Sequence, residues 1–394
     1  MPKIELFFVN NITIFLPKMA TKKLVINGKS YSASAEKLDL SNQNLEKIPP
    51  QLAMFKKLKK LSLKDNNLIN LENLPETVEW LDISGNQNVK KVNLPSNLIT
   101  FICDGCNLKS LPNLPDGLKN LICRYNSIKK FDKLPEGLKY VDCSGNTNID
   151  IDNLPPGLKV LECMNCDLKT ESFNNLPLGL EKLGCSDNLI KQFNNLPLNL
   201  KILDCFNNPI VNFDFWPIGL EVMFIRFSSS SQMLNLPPNL KELYCNNSNI
   251  EELPVLPITL LKLSLSFSKK IKVIDNLPLN LEILLCNGCS IEKLILPKKL
   301  KILDCSDNNI TELVNLPEPL TDLCCSNNKI TQFVDLPKNL NKLYCGGNPI
   351  TQINYPKIKI EQFYTYQPDH ESYLGILENS RDYKFKQSYS VKAC

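Results

Sequence analysis

The sequence predicts a repeat solenoid: an arc of short stacked coils with a parallel β-sheet on its concave face, an extended, polyproline-like convex side and few helices. Three observations predict it. The motif Leu-x-x-Leu-x-Cys-x-x-Asn-x-Ile recurs at a step of about twenty residues. Its fourth and sixth positions alternate with polar neighbours, and a proline precedes nearly every copy. A compact globule of 394 residues would suggest two or three domains, but a periodic chain makes that count meaningless.

The copies align residue by residue. Leu118, Leu121, Cys123, Asn126 and Ile128 form one, Leu200, Leu203, Cys205, Asn208 and Ile210 another, and Leu300, Leu303, Cys305, Asn308 and Ile310 a third. The fourth position runs from Leu38 through Leu61, Leu81 and Phe101 to Leu323 and Leu343, giving about sixteen copies across residues 38–350. Around it the alternation is that of a short strand, with the fourth and sixth residues inward and their neighbours outward. One strand cannot bury its inner face alone, so coils stack and share a continuous core.

The ninth position is asparagine at Asn66, Asn86, Asn126, Asn146, Asn188, Asn208, Asn308, Asn328 and Asn348. Here the chain leaves the strand, and a buried amide can satisfy backbone groups of its own and the neighbouring coil. Cys106, Cys166 and Cys289 replace it in three coils. Prolines such as Pro75, Pro115, Pro155, Pro197, Pro237, Pro278 and Pro317 fix their own backbone angle and push the preceding residue toward extended structure, which argues against convex helices.

The Leu-Pro-x-x-Leu-x-x-Leu-x-Cys-x-x-Asn-x-Ile pattern resembles the short, bacterial-type leucine-rich repeat of effectors secreted by enteric pathogens. It is also similar to hypothetical repeat proteins encoded by giant DNA viruses of amoebae. The resemblance implies a leucine-rich-repeat fold but names no partner. Some bacterial members carry a ubiquitin-ligase domain after the repeats. Only about forty residues follow Ile350 here, so that activity is not expected.

An open stack needs its ends covered. Residues 19–37 contain Asn27-Gly28 between apolar runs, a hairpin signal, and read as an N-terminal cap. Residues 1–18 read as a disordered leader. In residues 351–394, Ile358, Phe363, Tyr364, Tyr373 and Leu377 supply apolar surface for a C-terminal cap, the alternative being a docking tail. Asn10 and Asn11 interrupt the apolar run of residues 6–16, which argues against an export signal.

Composition excludes more than it suggests. A net charge of +4 with Lys and Arg spread along the chain gives no nucleic-acid footprint. No stretch approaches the ~20 apolar residues of a membrane span. Eleven of the sixteen cysteines, from Cys103 to Cys345, fall on the inward sixth position, where free Cys packs as a small hydrophobe. A reducing, cytoplasmic compartment, such as that of a host cell, fits them. Cys103/Cys106, Cys163/Cys166 and Cys286/Cys289 are Cys-x-x-Cys pairs, yet a structural zinc needs four ligands and these pairs lie at least three coils apart. No metal and no cofactor is expected; a metal or redox protein using the cysteine stripe is the weakest reading.

Catalytic signals are thin. His370, the sole histidine, sits beside Asp369 and Glu371 after Pro368 and reads as a polar turn. Asp82, Asp142, Glu162, Asp204 and Asp304 occupy outward positions of separate coils and read as a solvated face. No residue is assigned a catalytic role. The departure from this polar face is Phe206, Phe224, Arg226, Phe227, Tyr244 and Phe267, at outward positions five, seven and eight. Exposed aromatics and Arg are enriched at interface hot spots, so this cluster is the expected docking surface for a protein partner. Ser228, Ser248 and Ser268 at successive ninth positions suggest altered curvature there. The sequence thus points to a non-enzymatic protein-binding scaffold, with a structural repeat protein lacking a fixed client as the alternative.

Overall fold

The computed structural model describes residues 23–211, 216–227, 236–253 and 255–351 in full. Four further strands, Glu5–Val9, Ile12–Leu16, Gln352–Ile353 and Gln362–Tyr364, are described by backbone alone. The chain divides into two units, Met1–Arg226 and Phe227–Cys394.

In the first unit, three-residue strands stack in parallel from Lys37–Asp39 and Lys60–Ser62, through Asn120–Ile122 and Tyr140–Asp142, to Val222–Phe224. The pairing sets each fourth-position residue beside the next: Leu38 by Leu61, Leu61 by Leu81, Phe101 by Leu121 and Leu203 by Met223. The second unit repeats this from Glu242–Tyr244 to Lys342–Tyr344. The sequence ended the repeats at Ile350, and the backbone adds Gln362–Tyr364 in register, with Phe363 opposite Leu343. The rest of residues 354–394, His370 included, lies outside the described residues.

Both inward residues of each strand are buried, Leu121 and Cys123 or Leu303 and Cys305 at 0% exposure. A fully buried leucine contributes roughly 1.5–3 kcal/mol relative to an exposed one. That gain exists only when neighbouring coils supply the walls, so the strands, three residues each, are products of stacking and not of local propensity.

Coil length decides what the return path becomes. Most coils step by twenty residues and return without a helix. The coil between Lys37–Asp39 and Lys60–Ser62 is longer and holds the 3₁₀ helix Pro50–Met54, and the one between Val160–Glu162 and Lys182–Gly184 holds Thr170–Phe173. Elsewhere the return path carries short paired strands, for example Asn70–Leu71 with Lys91–Val92. Each proline carbonyl then accepts the N–H three residues on, as in Leu118 to Pro115 (3.0 Å) and Leu200 to Pro197 (3.0 Å), which swings the chain back into its strand.

Ahead of the first coil, Lys23–Ile26 and Lys29–Ser32 pair antiparallel. Asn27 and Gly28 both have positive φ, 45° and 75°, as a two-residue type I′ turn requires. Leu24 and Ile26 are buried, and the Asn27 amide donates to the Gln43 carbonyl of the first coil.

Candidate functional site: the strand face and its turn

The asparagine position organises the turn beneath the strand face. The Asn126 amide donates to the carbonyls of Cys103 (2.8 Å), Cys123 (3.0 Å) and Arg124 (3.1 Å), and its oxygen accepts from the N–H groups of Cys106 and Leu108. One side chain therefore ties two coils together at five backbone groups. Asn66, Asn86, Asn146, Asn188, Asn208, Asn308, Asn328 and Asn348 make the same type of bridge, donating to the sixth-position carbonyl of the preceding coil. Where cysteine stands instead, the thiol donates to that same carbonyl: Cys106 to Ile83 (3.2 Å), Cys166 to Cys143 (3.4 Å) and Cys289 to Leu265 (3.3 Å). The two halves of each Cys-x-x-Cys pair thus have separate jobs, one filling the core and one replacing the amide. Burial pushes the Cys106 and Cys289 thiols up to about 11. Among the described residues no group of three or more His, Cys, Asp or Glu side chains is placed to hold a metal ion.

Three of the five outward acids are buried and not part of a solvated face, and here the sequence reading is corrected. Asp142, Glu162 and Asp304 are 5%, 7% and 8% exposed. Two features bury them. Stacked coils close in on both sides at strand spacing, about 4.8 Å. In addition, several short carboxylates fold back onto their own turn. Asp82, Asp142 and Asp304 each accept the N–H of the serine two residues on, and Asp82 and Asp304 also accept its hydroxyl. Burial holds the carboxyls of Asp142, Glu162 and Asp204 above the usual carboxylate range. Basic side chains offset part of that cost: Lys182 reaches Glu162 at 2.5 Å, and Arg124 reaches Asp104 at 2.7 Å and Asp142 at 3.8 Å. Asp82, Asp142 and Asp304 thus hold their own turns, and Asp142 and Glu162 hold cations.

The aromatic residues separate. In the first unit Phe206 and Phe224 are half-buried on the strand face and Arg226 is exposed. Phe227 is 1% exposed, which removes it from the candidate surface. The hydrogen bonds give the reason. In an ordinary coil the eleventh residue gives its N–H to the next asparagine and its carbonyl to the next tenth residue, as Leu45 does with Asn66 and Asn67. Phe227, nominally eighth, makes both bonds, to the Ser248 hydroxyl (2.9 Å) and from the Asn249 N–H (2.9 Å). Its turn is three residues shorter, and the ring occupies the core slot that isoleucine fills elsewhere. Ser248 and Ser268, buried at 4% and 0%, continue this turn with a shorter bridge, the Ser248 N–H donating to the Ser268 hydroxyl; Ser228 lies outside the described residues.

In the second unit, the Tyr244 hydroxyl donates to Glu242 (2.7 Å) and Lys262 sits 4.8 Å from its ring centroid. Burial, with the Glu242 carboxylate beside it, raises the Tyr244 phenol. Phe267 is 42% exposed at a left-handed φ of 62° and leans over Gly288, where an added Cβ would lie 2.6 Å from the ring. Tyr125 leans over Gly145 in the same way in the first unit. An aromatic residue followed one coil later by glycine was a readable sign of this packing that composition alone conceals.

With this geometry in view, comparison places the chain among known folds. It is similar to YopM from Yersinia enterocolitica WA-314, with 26% identity over 81% of this chain and 79% of that chain, at a TM-score of 0.57. Its fold is that of the leucine-rich-repeat proteins. The repeats average about twenty residues, and the leucine-rich effector YopM from Yersinia pestis is similar too, at 26% identity over 83% of this chain and 88% of that one, TM-score 0.58. The leucine-rich-repeat fold extends to the circular protein CroV588, at 21% identity, 72% and 52% coverage and a TM-score of 0.51. No protein-family model matches the chain, and no curated protein matches it. Among the described residues no helix is long and apolar enough to cross a membrane.

Proposed function

We propose that this leucine-rich-repeat chain is a non-enzymatic scaffold that binds a protein partner on its strand face, in a reducing compartment such as a host cytoplasm. One observation carries the reading: on the strand face the half-buried Phe206 and Phe224 stand with the exposed Arg226 in the first unit, and Tyr244 and Phe267 stand on it in the second. Such residues provide large contact area at low conformational cost, which is why they dominate interface hot spots. The likeness to YopM, described as an effector protein, supports an interaction role in general. Fifteen buried cysteines among the described residues, most of them core filling, support placing the chain where thiols stay reduced.

The test is affinity capture with the full chain, compared with Phe224→Ala, Arg226→Ala and Tyr244→Ala. Each should lose a captured partner by roughly 2 kcal/mol or more if it is a hot spot, while Ser62→Ala on the same kind of face retains it. Equal capture by all four variants would move the partner site off these residues.

A further inference from the structure

Three thiols stand at the asparagine position, and each donates to the sixth-position carbonyl of the coil before it. The residue met there differs. Cys106 meets Ile83 and Cys289 meets Leu265, but Cys166 meets another cysteine, Cys143. These two residues touch twice: the Cys166 thiol donates to the Cys143 carbonyl at 3.4 Å, and the Cys143 thiol donates to the Cys166 sulfur. All three ninth-position sulfurs also face two backbone N–H groups of the preceding turn, for Cys166 those of Asn146 and Gly145. The contact with Cys143 sets Cys166 apart. That thiol donor, aided by the two N–H groups, outweighs desolvation and holds Cys166 below the ordinary thiol range, whereas burial holds Cys106 and Cys289 above it. The thiolate is the form that reacts.

Neighbours within the core stripe lack this approach. Cys143 and Cys163 follow paired strands in register, so their side chains leave in parallel at strand spacing, about 4.8 Å. A disulfide needs its β-carbons closer, roughly 3.8 Å apart. Cys166 comes instead from the turn and meets Cys143 from a different direction. Loss of its proton strands no acceptor. The Cys143 carbonyl keeps the Asn146 amide at 2.8 Å, and the Met164 carbonyl keeps the Gly145 N–H at 2.8 Å.

We propose that Cys143 and Cys166 form a redox-modification site, which hydrogen peroxide converts to a disulfide that locks two adjacent coils. The Cys166 thiolate attacks one peroxide oxygen: the S–O bond forms, the O–O bond breaks, and the leaving hydroxide takes a proton to become water. The Cys143 sulfur then attacks the sulfenic sulfur of Cys166. The S–S bond forms, the S–O bond breaks, and the second oxygen leaves as water with the Cys143 proton. Two thiols and one peroxide thus give one disulfide and two waters. Both sulfurs are buried, so the reaction is paced by opening of the turn and favours an oxidant little larger than water. In a reducing compartment such a disulfide is transient, and thiol exchange returns it to the dithiol.

The test treats the full chain with hydrogen peroxide, alkylates the remaining thiols after denaturation and maps disulfides by peptide mass spectrometry. One dominant link is expected, Cys143 to Cys166. It should raise the thermal midpoint by constraining the unfolded chain, and dithiothreitol should reverse the rise. Cys166→Ser should remove both the link and the rise, while Cys163→Ser and Cys106→Ser should keep them. Links scattered along the stripe, a peroxide-treated chain in which Cys143 and Cys166 are still thiols, or a link that leaves the midpoint unmoved would each overturn the proposal.

Discussion

At the residue scale, the asparagine bridge is where the chain is most sensitive. Asn126 satisfies backbone groups in two coils, and alanine would leave several of them buried and unpaired. Asn126→Ala should therefore lower stability by roughly 1–3 kcal/mol, read as a shift of the denaturant midpoint. The thiols give a second expectation. Cys103, Cys123, Cys205 and Cys305 are fully buried and held well above their ordinary ionisation by desolvation. Because the thiolate is the reactive form, a thiol reagent should modify few cysteines in the native protein and nearly all after denaturation. Rapid labelling of the native stripe would contradict the inward register. A third concerns the buried acids. A carboxyl whose folded ionisation is raised above its unfolded value binds more protons when folded, so stability is lost as pH rises through that window and recovered as pH falls. Asp142→Asn keeps an oxygen for the Ser144 N–H but carries no charge. Its advantage over wild type should be largest near neutrality and shrink as pH falls toward the ordinary carboxylate range, about 4, as denaturation curves across that span would show.

At the scale of the coil, Phe227 shows both what the sequence reveals and what it hides. Repeat phase was legible because identical side-chain types return at a nearly constant step, and the inward stripe and asparagine row followed from it. The shortened turn after Arg226 was not legible, because Met223 and Leu243 are still twenty residues apart. The twenty-residue step is thus unchanged, so spacing gives no warning. The buried acids were misread for a different reason: alternation tells which way a side chain leaves the strand, not whether its neighbours leave room for water. Phe227→Ala should cost about 3–5 kcal/mol, as large-to-small core changes do, whereas Arg226→Ala should leave stability nearly unchanged. If the two variants unfold alike, the ring does not fill that slot.

At the scale of the whole molecule, fold and ends were unequally readable. Regularity over three hundred residues specified a parallel stack with few helices. The ends break the repeat, and only the Asn27-Gly28 hairpin carried its own local signal. The hairpin buries Leu24 and Ile26 and bonds to the first coil. Replacing Leu24 and Ile26 together with serine should expose the first coil and raise dye binding to apolar surface and aggregation on heating. An unchanged aggregation temperature would show that the hairpin protects nothing. What the repeat could not supply was a site, because a site is a departure from the pattern, and departures look like drift until neighbouring coils are set side by side.

The bridge from each asparagine to the coil before it also has a mechanical consequence. Within a unit, the bonds that hold a coil lie against its immediate neighbours, so a load applied to one end concentrates on the outermost coil alone. Force should peel the stack one coil at a time in a sawtooth trace. Each rupture would release about twenty residues, or roughly 70 Å of extended chain. Coils that have exchanged asparagine for cysteine or serine, with fewer anchoring bonds, should yield at the lowest peaks.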